Sequence, residues 1–77
     1  MTEEEKLFFI AENEGKLEEL TNNVKKRNEF EAGVWFGALN FNLDSIETQK
    51  ILKDETKSRL TSEEHEWLTK LVKRSMT

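Results

Sequence analysis

The sequence predicts a small all-α protein, a bundle of three or four helices, and two observations carry that prediction. Apolar residues recur at helical spacing in the first and last thirds of the chain. Helix-start signals at Thr2, Asp44 and Thr61 divide the chain into segments that short connections can join. The alternative is an α+β fold in which residues 34–42 form a strand.

The first helix is expected to begin at Thr2, whose hydroxyl can cap the backbone N–H of Glu5 while Glu5 reaches back. The apolar stripe that follows keeps a seven-residue spacing and consists of Ile10, Leu17 and Val24. Because this stripe stays in phase across Gly15, we favour one helix over residues 2–27. The alternative ends a first helix at Glu14, with Gly15 as its left-handed cap, and then begins a second.

The most apolar part of the chain is Phe30–Leu43, and its sequence fits either a helix or a strand. A helix places Phe30 and Val34 on one face, whereas the end of the stretch alternates as a strand does. A strand needs a partner, and the chain offers no convincing second strand. We therefore expect a helix over residues 29–39 and a short extended link to Asp44.

The last two helices have clear start signals. Asp44 is expected to cap a helix with Glu47 at its third position, and this helix should run to about Ser58. Thr61 or Ser62 should cap the final helix, over residues 62–75. The predicted core draws on every segment but the fourth and comprises Leu7, Ile10, Leu17, Leu20, Val34, Phe41, Trp67, Leu68 and Leu71.

Composition limits the functions that we consider. With 16 acidic and 12 basic residues the net charge is −4, which argues against direct nucleic-acid binding. No apolar run approaches the length of a membrane span, and the glutamate-rich start is unlike a signal peptide, so we expect no membrane association and a cytoplasmic location. Residues 1–77 are expected to form one small domain. Apolar residues make up only 35% of it, so a homo-oligomer or a partner-stabilised fold fits the composition.

The residues that carry chemistry are few. The single histidine, His65, lies among glutamates at the start of the last helix, and the chain has no cysteine. We therefore predict no catalytic residue, no metal site and no cofactor, and a protein that is not an enzyme.

Adjacent aromatic residues suggest an exposed patch. Adjacent residues of a helix or a strand point in different directions. One residue of the pair Trp35–Phe36 and one of the pair Phe8–Phe9 are therefore expected to face outward. Carboxylates on the first helix can add to such a surface. They can take the place of nucleic-acid phosphates in the DNA- or RNA-binding groove of a partner protein. The candidate partner-binding residues are Trp35, Phe36, Phe9, Glu12 and Glu19.

The segment Leu43-Asp44-Ser45-Ile46-Glu47 resembles the phosphopantetheine attachment motif of acyl carrier proteins. The resemblance implies that Ser45 carries the prosthetic arm at the start of a helix. The segment departs from the motif at Leu43, where carriers usually have glycine. Ser45 also fits a simple role at a helix start.

These observations favour a non-enzymatic protein-binding module, a small regulator or inhibitor of a larger protein. The lysine and asparagine content is typical of AT-rich genomes, which suggests a phage or another mobile element as the source. Two alternatives stay open: a carrier protein modified on Ser45, and a structural component that self-associates through a long first helix.

Overall fold

The computed structural model describes residues 2–41, 43 and 45–75, with only the backbone of Ser75. Within these residues all regular secondary structure is helical, which confirms the all-α class and shows the strand at residues 34–42 to be wrong over its described part. Five helices, rather than three or four, are present in the described ranges. They are α1 (Glu3–Glu12), α2 (Glu14–Lys25), α3 (Glu29–Phe41), α4 (Ile46–Arg59) and α5 (Ser62–Ser75).

The predicted continuous first helix is wrong, because the chain is interrupted at Asn13. The Asn13 side-chain amide donates to the Phe9 carbonyl oxygen at 2.9 Å, and its backbone N–H lies 3.2 Å from the carbonyl oxygens of both Phe9 and Ile10. The backbone of Asn13 itself departs from helical geometry, with φ −103° and ψ 7°. The alternative, a division into two helices, is confirmed. Its boundary is wrong, since Gly15 has a negative φ and lies inside α2 rather than capping α1.

The turn between α2 and α3 forms at Arg27, the one described non-glycine residue with a positive φ (57°). The N–H of Arg27 donates to the Val24 carbonyl and that of Asn28 to the Asn23 carbonyl, as in a Schellman motif. The Arg27 guanidinium also donates to Val24 at 2.8 Å and lies over the Trp67 ring, 5.6 Å from its centroid. These contacts hold a backbone conformation that side chains disfavour.

The third helix is longer than predicted and turns a different face to the core. It begins after Asn28, whose Oδ1 accepts from the Glu31 N–H at 3.2 Å, and it ends at Phe41 rather than at residue 39. Ala32 and Leu39 are its buried residues, and α2 is the helix that α3 packs against most extensively. Because Ala32 is small and fully buried, it allows the two helices to approach closely.

The fourth helix is capped by Ser45, one residue after the predicted cap, Asp44, which lies outside the described residues. Ser45 Oγ accepts from the Thr48 N–H at 3.2 Å, and Thr48 Oγ1 accepts from the Ser45 N–H at 3.3 Å. This is a capping box with threonine at its third position, where the sequence had suggested Glu47. The helix ends one residue later than expected, at Arg59.

The prediction for the last helix, residues 62–75, is confirmed. Thr61 Oγ1 accepts from the Glu64 N–H at 3.1 Å, and Glu64 Oε1 accepts from the Thr61 N–H at 2.9 Å. The same Glu64 oxygen lies 3.0 Å from Lys25 Nζ, which ties α5 to α2. The Thr61 backbone donor, followed by Lys25, lowers the pKa of the Glu64 carboxyl.

The predicted core is confirmed in part. Leu17, Leu20, Leu68 and Leu71 are buried, and Ile10 and Trp67 are half-buried against them. Three predicted core residues are instead exposed: Leu7 at 61%, Val34 at 48% and Phe41 at 89%. The buried apolar residues that the prediction missed are Val24, Ala32, Leu39, Ile51, Leu52 and Leu60.

An ion pair between α2 and α4 gives the fold a pH dependence. Arg59 donates to both carboxylate oxygens of Glu14, at 3.0 and 2.6 Å, and this hydrogen bonding lowers the pKa of Glu14 below its ordinary 4.5. A lowered folded pKa stabilises the fold above the unfolded pKa, and this stabilisation is lost as pH falls through the folded value. We expect Glu14→Gln to lower the melting temperature slightly at pH 7. The difference from the parent should narrow as the pH falls below 4.5 and through the lowered folded pKa of Glu14.

The control for this prediction is Glu12→Gln, the same change at an exposed residue one position before the interruption of the helix. Melting temperatures from circular dichroism at neutral and acidic pH make the comparison. A Glu14→Gln deficit that persists unchanged in acid would show that the loss does not come from the ionised pair.

Candidate protein-docking surface

The most distinctive surface of the protein is the outward side of α3, which we call the α3 face. It comprises Phe30, Gly33, Val34, Gly37 and Phe41, all exposed, and spans an arc of about 100° on the helix. Phe30 is 77% and Phe41 89% exposed, so most of each ring meets solvent. The α3 face includes no charged side chain, although 36% of the chain is charged.

Gly33 and Gly37 have no evident role in the fold of the single chain. Both have a negative φ, and a Cβ added at either would meet nothing within 4 Å. Neither a left-handed turn nor a close neighbour therefore requires glycine there. Each glycine instead destabilises the helix by roughly 0.5–1 kcal/mol relative to alanine. Their four-residue spacing opens a shallow hollow between the two phenylalanines.

Contacts at its start and on its inward side fix α3 to the rest of the fold. Glu29, at its start, lies 3.2 Å from the Arg74 guanidinium of α5, and both side chains are exposed. On its inward side, Ala32 and Leu39 are buried in the core. The α3 face is thus an apolar surface on a helix that the rest of the fold holds in place.

The predicted partner-binding residues do not lie on the α3 face. Trp35 and Phe36 occupy the two flanks of the inward side of α3, half-buried and packed against the core. Phe9 is half-buried, and its neighbour Phe8 is 65% exposed. Glu12 and Glu19, on α1 and α2, are exposed. A binding role for these five residues stays a prediction.

One signal in the sequence marks the α3 face. The two glycines share a helical face with Phe30, Val34 and Phe41, and no charge interrupts that face. Sequence reasoning placed Val34 and Phe41 of this face in the core, because a hydrophobic stripe on a helix usually faces inward. Exposed glycines at such a spacing are more typical of a surface that another helix approaches.

The residues of chemical interest are arranged as follows. His65 is half-buried on α5, and no cluster of three or more metal-ligating side chains occurs among the residues that the structure describes. Ser45 Oγ accepts the Thr48 N–H and lies 3.2 Å from Thr48 Oγ1, so its hydroxyl serves the cap of α4. Attachment of a phosphopantetheine arm there stays a prediction of the carrier resemblance.

No helix in the described part of the chain combines the length and the apolar character that a membrane crossing requires. Comparison with protein-family models, curated proteins and solved structures gave no significant match.

Proposed function

We propose that this chain is a non-enzymatic protein-binding module, a small cytoplasmic regulator or inhibitor of a larger protein, and that the α3 face is its docking surface. One observation carries the proposal: two exposed glycines that the single chain does not need lie within an uncharged apolar surface. Exposed apolar surface of this kind marks interaction sites on small proteins. The origin in a phage or another mobile element belongs to the same proposal.

The shape of the α3 face indicates the partner element. A helix can lie along the hollow at Gly33 and Gly37, because the missing side chains let its backbone come close. Phe30 and Phe41 would then bracket the contact as aromatic anchors. The partner helix should present aliphatic side chains and no charge at its centre, since α3 offers none to pair with one. In this proposal Glu12 and Glu19 add electrostatic selectivity from outside the apolar surface.

The test compares three baits in affinity capture from cells that contain the partner: the parent protein, a Phe30→Ser/Phe41→Ser variant and a Phe8→Ser control. Phe8 is 65% exposed on α1, so the control makes the same chemical change outside the α3 face. We expect a protein that the parent and the control retain and the double variant loses by at least about tenfold, as for hot-spot aromatics. Equal capture by all three baits contradicts the proposal.

Self-association is a second candidate function, and the spacing on α3 favours it. In an antiparallel pair with its two-fold axis between residues 35 and 36, Phe30 meets Phe41 of the other copy. Val34 then meets the hollow at Gly37. Such self-complementarity is what a two-fold interface requires. In this proposal the α3 face, rather than a long first helix, is the self-association surface. The chain has two helices, α1 and α2, where a single continuous one was expected.

The area of such a dimer interface is small. Phe30 and Phe41, with these exposures, contribute roughly 330 Å² per copy, so in the pair of copies the phenylalanines alone supply only about half of the 1,200 Å² or so of a standard interface. We therefore expect at most weak dimerisation. Sedimentation velocity over a concentration series distinguishes the two candidates: a dimer that Phe30→Ser/Phe41→Ser abolishes supports self-association, and a monomer at every concentration removes it.

A further inference from the structure

A cavity of about 400 Å³ opens between the C-terminal half of α3, α4 and α5, and we call it the α4–α5 groove. This volume lies within the range of small-molecule sites in proteins, although the chain has only 77 residues. Carbon-rich side chains from all three helices and the α3–α4 connection form its walls. They include Phe36, Leu43, Leu52, Leu68 and Val72.

The polar residues of the α4–α5 groove carry positive charge or none. Lys53 from α4, Lys73 from α5 and His65 all line it, and no acidic side chain does so among the described residues. This composition contrasts with a chain of net charge −4. Lys53 and Lys73 are both exposed, and neither forms an ion pair with a described residue. An anion at the mouth would therefore meet two uncommitted ammonium groups.

Two of the polar side chains that line the groove, Thr56 and Thr69, already donate to their own helices. The Thr56 hydroxyl donates to the Lys53 carbonyl oxygen at 2.9 Å, and the Thr69 hydroxyl donates to the His65 carbonyl oxygen at 2.9 Å. Both hydroxyl protons are thus used within their own helices. The cavity combines an apolar interior with a cationic mouth, and a ligand that fits both must be amphiphilic.

We infer that the α4–α5 groove binds a small amphiphilic carboxylate, with an unbranched tail in the cavity and the carboxylate at Lys53 and Lys73. At about 30 Å³ per water-sized group, 400 Å³ holds roughly 13 non-hydrogen atoms. A carboxylate with a ten-carbon chain has about this size. The inference is independent of the proposed docking function, because the groove lies on the Phe36 side of α3, away from the α3 face.

The test is a titration of the full chain, labelled with ¹⁵N, with decanoate kept below its micelle concentration, alongside decanol as the uncharged ligand of equal tail length. We expect saturable binding, with amide shifts concentrated at Leu52, Thr56, Leu68 and Val72. Decanol should bind several-fold more weakly, because it lacks the charge that the two lysines recognise.

Two double variants then test the lysines. Lys53→Gln/Lys73→Gln should weaken decanoate binding about 3- to 20-fold and leave decanol binding unchanged, as expected for two exposed ion pairs. Lys50→Gln/Lys70→Gln makes the same change on the same two helices outside the groove and should have little effect. All four positions are exposed, so each variant is expected to fold.

Several outcomes overturn the inference. They are the absence of saturable binding, shifts that map to the α3 face, equal affinity for decanol and decanoate, and an equal loss in both double variants. Because no step uses Phe30 or Phe41, a failure here leaves the docking proposal standing, and the reverse also holds.

Discussion

Leu20→Ala should remove a large part of the stability of this protein. Leu20 lies at the centre of α2 and is completely buried. Truncating such a leucine costs about 2–5 kcal/mol, through lost burial and the cavity left behind. A chain of 77 residues has a total stability of roughly 4–11 kcal/mol, so the loss is a large part of it and reaches the whole only at the low end of this range. Urea unfolding followed by circular dichroism measures the loss.

The matched control is Leu7→Ala, the same substitution at a residue that the hydrophobic pattern also placed in the core. Leu7 is 61% exposed on α1, and α1 has no buried residue among those described. We expect its free energy of unfolding to change by no more than about 0.5 kcal/mol. Comparable losses in the two variants would mean that α1 packs its Leu7 side chain into the core and that the exposed position is wrong.

The helices themselves were largely predictable from local chemistry. The start of α5 follows from Thr61 and Glu64, and that of α1 from Thr2, because a capping side chain acts within one turn of its own helix. The start of α4 shows the limit of this reasoning. Asp44 and Ser45 are both good caps, and the choice of Ser45 brought with it a reciprocal bond to Thr48 that no charge pattern had indicated.

The interruption at Asn13 was not predictable from apolar spacing. The stripe Ile10, Leu17 and Val24 continues through it in phase, so hydrophobic periodicity favours one helix. At Asn13 the backbone leaves helical geometry, with φ −103° and ψ 7°. The Asn13 side chain donates to the Phe9 carbonyl. However, the buried Asn23 makes the same bond to the Glu19 carbonyl inside an uninterrupted α2, so this bond alone does not account for the interruption.

The orientation of α3 was the largest error, and its cause is physical. Because α3 carries apolar residues on every side, its sequence does not mark an outer face with charge. The stripe of Phe30, Val34 and Phe41 is bulkier and would bury more apolar area if it faced inward, but Ala32 and Leu39 face inward instead. Close packing against α2 requires a small residue at the contact, and a comparison of buried areas does not include this requirement.

The same error hid the candidate site. Reasoning from adjacent aromatic residues chose Trp35 or Phe36 as the exposed one, but both settle at the edges of the inward side and are half-buried. The aromatic residues left over are Phe30 and Phe41, three and four residues outside the glycine pair.

The double variant Gly33→Ala/Gly37→Ala separates the needs of the fold from those of the docking surface. Alanine fits both positions, because φ is negative and the added methyl groups meet no atom within 4 Å. We expect the pair to raise the free energy of unfolding by about 1–2 kcal/mol. If a helix uses the hollow between them, the same methyl groups should weaken partner capture or dimerisation. The double variant should therefore be more stable than the parent and should bind its partner less well.

Gly15→Ala is the control, since Gly15 is also exposed, helical and free of neighbours within 4 Å, but it lies in the first turn of α2. It should stabilise the fold somewhat and leave association unchanged. Urea unfolding gives the first quantity, and capture or sedimentation gives the second. A Gly33→Ala/Gly37→Ala protein that is more stable and associates as well as the parent would place docking elsewhere. A destabilised one would reveal a structural need for glycine. Stabilisation with loss of association is expected only where a partner occupies the space that the two side chains leave empty.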